Sequence, residues 1–318
     1  MNKFTLLGSS LVLCAGAVTA ADYQVETLAD GLSNPWSLAF LPDGGMLVTE
    51  RSGQLRLIDA AGQLRAEPVA GVPEAFVNGQ SGLMEVALAP DFAESGELFL
   101  SYSCGTRDAN HTCLAAATFN GEALENTHEI FRVQPAKKGS AHYGGRIAFL
   151  PDNTLLLTLG DGFDYREQAQ NTANHLGSIV RLNRDGSAPE DNPFVGQADA
   201  MPELYSIGHR NMLGIAFDAD GALWTHEMGP AHGDELNKIE TEFNQLKSKS
   251  NKDIWLEEFF RCRFFDFGLY EDAIVEKESF LNHSIISPLL NVGLLSPMDV
   301  VKKSISFGTS NNVPINSI

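Results

Sequence analysis

The sequence predicts an all-β fold of the β-propeller class, which is built from small antiparallel sheets, or blades, arranged around an axis. Four segments share one strand–turn–strand pattern, and their turns contain residues that favour hairpins. The segments recur at intervals of several tens of residues, which is typical of structures that repeat one supersecondary unit. Because each blade buries its faces only against its neighbours, we expect each repeat to mark one four-stranded blade.

Each repeat consists of an apolar run, a turn that contains Asp, and a second apolar run. The turn acids lie at positions 43, 91, 152 and 220, so the intervals between them are 48, 61 and 68 residues. Pro, Asp, Gly and Asn in these turns suit hairpin geometry, and the variable intervals place insertions in loops. A β-sandwich with chance similarity is the alternative, but four repeats in register rarely arise by accident. The repeats are 38–49, 86–101, 147–158 and 215–225.

Residues 1–20 have the features of a signal peptide. Lys3 precedes an apolar run at 4–17, and small residues follow at 18–20. A buried N-terminal helix is the alternative. We expect this segment to be cleaved and the protein to be exported to the periplasm, with the propeller domain at 21–240. No other segment contains the ~18 apolar residues that a membrane span needs.

Acidic residues dominate the chain. The 41 Asp and Glu residues outnumber the 22 Lys and Arg residues, and the formal net charge is −19. A negative field of this size repels nucleic acid and anionic membrane surfaces and favours solubility. The charge therefore argues against nucleic acid as a partner, although it does not identify a substrate.

Three cysteines follow the predicted signal peptide. Cys104 and Cys113 bracket a polar segment at 105–112, which we expect to be a loop, and an oxidising compartment favours a disulfide between them. Two free thiols are the alternative. A zinc site is disfavoured because no second pair of Cys or His residues lies at ligand spacing. Cys262 has no predicted partner.

Two glycine-rich loops contain the first candidate functional residues. Gln80 is flanked by glycines, so its amide can point into a site at little steric cost; an ordinary connecting turn is the alternative. His142 lies just before the third repeat, and its imidazole suits proton abstraction near neutral pH. A lone histidine is more often structural, and the neighbouring glycines and Arg146 discriminate only slightly between these readings.

Two further loops flank the fourth repeat. Arg210 and Asn211 lie side by side and supply directional donors for a carboxylate or quinone oxygen, with a blade-closing salt bridge as the alternative. The backbone carbonyls of Gly229 and Pro230, with nearby carboxylates, suit Ca²⁺; a solvated polar loop is the alternative. Zinc is disfavoured here because the two histidines of this loop lack the helical spacing of a zinc motif.

In this order, the loops resemble the motifs of the soluble PQQ-dependent aldose dehydrogenases, the glucose/sorbosone dehydrogenase family. The resemblance extends from about residue 23 to residue 239. It implies a six-bladed propeller with pyrroloquinoline quinone (PQQ) lying on one end, of which about four blades are represented here. The matching segments are 80–83, 89–92, 142–146, 159–162, 208–211 and 229–237.

The resemblance also implies a reaction, the oxidation of an aldose sugar at C1 to the lactone. His142 matches the general base, which takes the proton of the C1 hydroxyl while hydride passes to PQQ. Arg210 matches the residue that stabilises negative charge developing on the quinone. The remaining matches are Gln80 as a substrate and cofactor contact, Asn211 as a PQQ contact, and Gly229 and Pro230 as carbonyl ligands of the Ca²⁺ that orients PQQ.

The sequence departs from the family pattern in two places. Ala141 stands where the glucose dehydrogenases of the family carry an acidic residue, so the sequence does not predict glucose as the sugar. The family's later blades supply basic side chains for the PQQ carboxylates, and nothing in this chain matches them. A non-catalytic binding propeller and a non-functional chimeric fragment are therefore the alternatives to an enzyme.

The strand–turn repeats stop after residue 240, and aromatic-rich, helix-like segments follow at 254–265 and 284–301. Segments 259–273 and 280–297 resemble parts of the deoxyribodipyrimidine photolyase-related (cryptochrome/photolyase) family. We therefore expect 241–318 to be a helical tail unrelated to the propeller. A helical cap inserted into the propeller is the alternative.

Overall fold

The computed structural model describes residues 26–230, 233–239 and 302–307. The predicted signal peptide at 1–20 and the helix-like tail segments, with Cys262, lie outside the described residues. The described part of the tail is a short helical stretch at 302–307. Within the described ranges, no helix is both long enough and apolar enough to cross a membrane.

Fourteen strands form four antiparallel sheets in the described part of the chain. The two central sheets have four strands each, and the first and fourth sheets have three described strands each. The first sheet contains β1(Pro35–Phe40), β2(Met46–Glu50) and β3(Gln54–Ile58). The second contains β4(Leu83–Leu88), β5(Glu97–Thr106), β6(Ala109–Phe119) and β7(Leu124–Arg132). The third contains β8(Gly144–Phe149), β9(Leu155–Leu159), β10(Ser178–Leu182) and β11(Leu204–Ile207). The fourth contains β12(Met212–Phe217), β13(Leu223–Glu227) and β14(Glu235–Ile239).

The order of strands in every sheet follows the order of the chain, so each sheet is an up-and-down meander. The first strands of successive sheets, β1, β4, β8 and β12, lie next to one another in that order. This arrangement of successive meanders is that of propeller blades. The predicted all-β propeller class is therefore confirmed for this part of the chain.

The four sequence repeats correspond to the first hairpin of each sheet. In the first and third hairpins, Asp43 and Asp152 accept the backbone N–H groups of Gly45 and Thr154 at 2.9 and 3.0 Å. The second repeat contains a helical turn, α1(Phe92–Ser95), which explains its longer connection. In the fourth repeat the turn acid is Asp218 rather than the aligned acid at position 220, because Asp218 accepts the N–H groups of the turn.

The central sheets are apolar on both faces because each of them packs between two neighbours. Along β5, Leu98 and Leu100 belong to the core shared with the first sheet, whereas Phe99 belongs to the core shared with the third. Along β9, Leu156 faces the fourth sheet in the same alternating manner. Successive side chains of a strand point to opposite faces, so a continuous apolar run fills two cores at once.

Arg146 connects the first strands of all four sheets. Its Nη1 donates to Glu85 Oε2 on β4 at 2.8 Å, and its Nε donates to the carbonyl of Leu213 on β12 at 2.8 Å. The guanidinium lies 4.0 Å from the ring centroid of Trp36 on β1. Ser37 Oγ on β1 donates to the other oxygen of Glu85 at 2.8 Å. Arg146 therefore forms a salt bridge between blades, whereas Arg210 forms none with the described residues.

The structure joins Cys104 and Cys113 in a disulfide between β5 and β6, with their Cα atoms 6.0 Å apart. The expectation of a loop at 105–112 was wrong. Gly105 pairs with Asn110 and Thr106 with Ala109, so the strands continue to a turn of two residues. Backbone pairing extends the hairpin here although most of its side chains are polar, because the ladder needs only N–H and C=O groups.

Candidate active site

The candidate residues lie at one end of the sheets. Gln80, His142 and Arg210 precede the first strands β4, β8 and β12, while Asp161 and Gly229 follow the second strands β9 and β13. In an antiparallel hairpin, the start of one strand lies beside the end of its partner. The topology therefore brings these loops to the same edge of three successive sheets.

His142 adopts a backbone conformation that is rare for residues with a side chain. Its φ is +53°, and that of Phe163 is +70°. Left-handed backbone costs about 1–2 kcal/mol for such residues, and it persists where surrounding contacts hold it. The rings of His142 and Phe163 meet edge to face at 5.1 Å between centroids. Two strained residues therefore face each other at this site.

The imidazole of His142 is oriented by a buried carboxylate. His142 Nδ1 lies 2.6 Å from Asp161 Oδ1, and the two residues are only 5% and 3% exposed. The backbone N–H of Phe163 donates to the same oxygen at 2.7 Å. A carboxylate can only accept, so Nδ1 carries a hydrogen, and in the neutral form of the ring Nε2 has the lone pair. Nε2 makes no hydrogen bond to any of the described residues, which leaves it able to accept a proton.

The Gly160–Asp161 segment comes very close to the loop of His142. A Cβ atom on Gly160 would collide with the carbonyl group of His142, so only glycine fits at this position. The sequence contains this signal as the Gly-Asp-Gly motif after the third repeat, but sequence reasoning did not assign a functional role to Asp161.

Gln80 is held against the His142 loop by two hydrogen bonds. Its backbone N–H donates to the carbonyl of Ser140 at 2.9 Å, and its Oε1 accepts the backbone N–H of His142 at 2.9 Å. Its Nε2 donates to no residue in the described part of the chain, and the residue is exposed. The side-chain amide therefore keeps two donors for a ligand.

Arg210 and Asn211 are attached to the same loops from the fourth sheet. Asn211 Oδ1 accepts the N–H of Gly144 at 3.2 Å, and the Arg210 carbonyl accepts the N–H of Asp161 at 2.8 Å. The Arg210 guanidinium donates to the carbonyl of Met228. These contacts connect the His142 loop to the loop that contains Gly229.

Glu227 supports this part of the site, and sequence reasoning did not single it out. Its carboxylate accepts the Arg210 N–H at 2.6 Å and lies 3.1 Å from His209 Nδ1. Burial alone would raise the pKa of Glu227, but the hydrogen bonds from His209 and from the backbone of Arg210 and Asn211 hold that pKa below its ordinary value. The group is therefore a carboxylate at neutral pH.

Gly229 and Pro230 begin a tight turn. Gly229 N–H donates to Asp234 Oδ1 at 2.9 Å, and the Pro230 carbonyl accepts the Gly233 N–H at 3.1 Å. A Cβ atom on Gly229 would collide with the Gly233 carbonyl, so the turn requires glycine there. The Gly229 carbonyl accepts no hydrogen bond from the described residues. Residues 231 and 232 of this turn lie outside the described ranges.

The structure thus hydrogen-bonds Gln80 to His142, and Asn211 to Gly144 in the same loop as His142, across three sheets. The Arg210 carbonyl accepts the N–H of Asp161, the partner of His142. The Arg210 guanidinium donates to Met228, which precedes the turn at 229–230. The disulfide lies within the second sheet and takes no part in this set of contacts.

Comparison with known proteins identifies the family of this chain. The sequence profile of the Glucose / Sorbosone dehydrogenase family matches residues 32–244. The Synechocystis protein slr1608 is 44% identical over 237 residues, which cover 69% of this chain and 57% of that protein. The Aldose sugar dehydrogenase YliI of Escherichia coli is 40% identical over 244 residues, which cover 74% of this chain and 65% of YliI. The chain therefore spans less than two thirds of these relatives' lengths.

A solved structure of a similar protein has a similar fold. The PQQ-bound form of the Aldose Sugar Dehydrogenase from Streptomyces coelicolor is 32% identical, with a TM-score of 0.58. The match covers 68% of this chain and 63% of that one. The profile, the sequence relatives and the fold agree, and the chain belongs to the glucose/sorbosone dehydrogenase family.

Proposed function

We propose that this protein oxidises an aldose sugar at C1 to the lactone in a reaction that depends on PQQ and Ca²⁺, with His142 as the general base. The proposal rests on the hydrogen bonding of the two nitrogens of the His142 imidazole. Its Nδ1 is tied to the buried carboxylate of Asp161, and its Nε2 has no partner among the described residues.

In this reaction, Nε2 of His142 accepts the proton of the C1 hydroxyl. The imidazole becomes positively charged at that moment, and the Asp161 carboxylate at 2.6 Å stabilises that charge. Burial of both groups strengthens their interaction because little water screens it. The N–H group of Phe163 keeps the carboxylate in place while the proton moves.

Two exposed groups beside His142 are suited to holding the sugar. Phe163 is 45% exposed, and its ring offers an apolar surface to the C–H face of a pyranose. The Gln80 amide offers two N–H donors for a hydroxyl group or a cofactor oxygen. The proposed substrate is therefore a small neutral sugar bound between an aromatic ring and an amide.

The residues present fit PQQ, which carries carboxylate and quinone oxygens. The Gln80 amide lies on one loop and the Arg210 guanidinium and Asn211 on another, and both loops are hydrogen-bonded to the His142 loop. Arg and amide donors suit such oxygens. When bound, PQQ supplies the two-electron acceptor that the sugar oxidation needs. Gln80, Arg210 and Asn211 would bind and orient this group against His142.

The turn at 229–230 fits Ca²⁺, which prefers oxygen ligands that include backbone carbonyls. The Gly229 carbonyl is without a hydrogen bond from the described residues, and Asp234 lies across the turn. Gly229 and Pro230 would supply carbonyl ligands. Arg210 contacts the preceding residue, Met228, so the ion would lie next to the cofactor contact.

We also propose that the protein works in the periplasm, on the basis of the signal-peptide pattern at 1–20. For the tail at 241–318 we propose an origin outside the propeller, related to the photolyase family. The change of composition after residue 240 supports an origin outside the propeller, and the family match ends at residue 244. The relation to the photolyase family rests only on the resemblance of segments 259–273 and 280–297.

The test is a reconstitution of the full chain after purification from periplasm. PQQ and Ca²⁺ are added, and dye reduction is measured with a panel of aldoses. We expect turnover that requires both additions, and weaker PQQ binding by calorimetry when EDTA removes Ca²⁺. Folded protein that does not bind PQQ would contradict the cofactor assignment, and PQQ binding unaffected by EDTA would contradict the assignment of Gly229 and Pro230. PQQ binding without turnover would favour a non-catalytic binding propeller.

A further inference from the structure

Lys137 is a buried lysine next to the His142–Asp161 pair. The residue is 3% exposed, and its Nζ atom has no hydrogen-bond partner among the described residues. Its backbone is fixed by two hydrogen bonds of 2.9 Å with Asn110 on β6. The Nζ atom lies 3.6 Å from the centroid of the Tyr143 ring, so a cation–π contact takes the place of a hydrogen bond.

The Lys137 side chain runs across the loop that carries Asp161. A Cβ atom on Gly162 would come within 2.7 Å of Lys137 Cδ and within 3.2 Å of the Tyr165 ring, so the stem packs closely on this glycine. The next lysine in the chain, Lys138, is exposed. Two adjacent lysines therefore have opposite environments, and only the first of them faces the site.

Among the described residues, the Lys137 ammonium lies over the Tyr143 ring and interacts electrostatically with Asp161, and the Tyr165 ring packs beside the Lys137 stem at Gly162. Burial lowers the pKa of Lys137 to about 8, and the charge of Asp161 opposes that change. Burial raises the pKa of Tyr143 to about 12, so its ring is neutral and contributes no charge. Lys137 is therefore mostly protonated at neutral pH, and Asp161 is the charged group that interacts with it.

We propose that Lys137 is a positioning residue for His142, whose ammonium group acts through Asp161 to keep the imidazole of His142 neutral in the resting protein. This role rests on the proposed function of His142 as the base. A positive charge near Asp161 offsets part of the carboxylate's attraction for a second proton on His142. A base must be unprotonated before the substrate arrives, so this charge keeps more of the protein competent as the pH falls.

The test is an NMR titration of ¹⁵N-histidine-labelled full chain without PQQ, with H142Q used to assign the His142 signals. In K137M and K137Q, we expect the His142 signals to titrate about one pH unit higher than in the wild type, a tenfold gain in proton affinity. K138M is the matched control and should titrate like the wild type. The wild type should also show a second inflection near pH 8, where Lys137 loses its proton, and both Lys137 variants should lack it.

Unchanged titration in K137M and K137Q, together with no inflection near pH 8 in the wild type, would overturn the proposal. The same shift in K138M would overturn it as well, because the effect would then come from net charge. The inflection near pH 8 is measured on the wild-type protein, so this part of the test remains available even if K137M does not fold. In protein loaded with PQQ and Ca²⁺, the acid limb of the kcat/KM profile should shift upward by the same amount in K137M.

The two proposals fail in different ways. If the His142 signals shift in K137M but no sugar is oxidised by loaded wild-type protein, the link from Lys137 to His142 stands and the proposed function fails. If sugar is oxidised, but the Lys137 variants show no shift and the wild type shows no inflection near pH 8, the proposed function stands and the role of Lys137 fails.

Discussion

Two buried histidine–carboxylate pairs lie on neighbouring sheets. They differ in whether the second ring nitrogen of the histidine, Nε2, has a hydrogen-bond partner. On the third sheet, His142 Nδ1 is 2.6 Å from Asp161, and on the fourth, His209 Nδ1 is 3.1 Å from Glu227. Both carboxylates also accept a backbone N–H group. His209 Nε2, however, lies 2.8 Å from the hydroxyl of Ser206, whereas His142 Nε2 has no partner among the described residues.

The difference shows that a buried pair of this kind does not by itself make a base. The third buried histidine, His175, also has both nitrogens engaged, by the Gln134 N–H at 3.0 Å and by Glu203 at 3.2 Å. A histidine with two partners links segments of the fold, and one with a single carboxylate partner can still take a proton. His142 meets the second condition, and it is also the one with a left-handed backbone.

The largest expected effect separates the two histidines by turnover. H142Q should lower kcat of the loaded protein by about 10⁴-fold, because glutamine cannot act as a base. PQQ binding should remain, since His142 is not among the proposed cofactor contacts. H209Q should lower kcat less than about tenfold, because its effect reaches the site only through Glu227. The measurements are dye-reduction kinetics and PQQ calorimetry.

Equal losses in H142Q and H209Q would remove the distinction between the pairs. A thermal unfolding profile of each variant serves as the control, because a misfolded H142Q would lose turnover without informing on the base.

The second prediction compares the carboxylates. D161N should lower kcat about 10²-fold, because an amide no longer stabilises a charged imidazole. E227Q should instead weaken PQQ binding and lower the free energy of unfolding by about 1–3 kcal/mol, because it replaces a buried carboxylate that accepts hydrogen bonds from several groups. Kinetics and urea unfolding at neutral pH measure both effects. A loss of kcat in E227Q as large as that in D161N would contradict the division of roles.

Sequence reasoning could predict the four hairpins because their information is local. Alternating apolar residues and turn residues such as Asp43 lie next to one another in the chain, and they specify strands and hairpins without distant contacts. His142 and Gln80 could be found for the same reason, since each lies beside glycines in a short motif. The positions of the outer strands, such as β3, could not be predicted as well, because these strands carry no repeat.

The environment of each polar residue depends on distant contacts, and sequence reasoning did not predict it. Lys137 and Lys138 are adjacent and identical in type, yet contacts with Asn110 and Gly162 bury only the first. Arg146 connects four sheets through partners that are 61 and 67 residues away in sequence. No local pattern distinguishes such residues from exposed ones.

The smallest expected effect tests whether a histidine Nε2 without a hydrogen-bond partner is enough to make that histidine act as a base. S206A removes the hydroxyl partner of His209 Nε2 and should lower the free energy of unfolding by about 1 kcal/mol, the value of one hydrogen bond. The double variant H142Q/S206A should remain as inactive as H142Q, because His209 lacks the contact with Gln80 that holds the His142 loop beside the proposed ligand donors. Recovery of turnover in the double variant would mean that occupancy of Nε2 alone decides which pair is the base. Continued inactivity would mean that the Gln80–His142 loop is required as well.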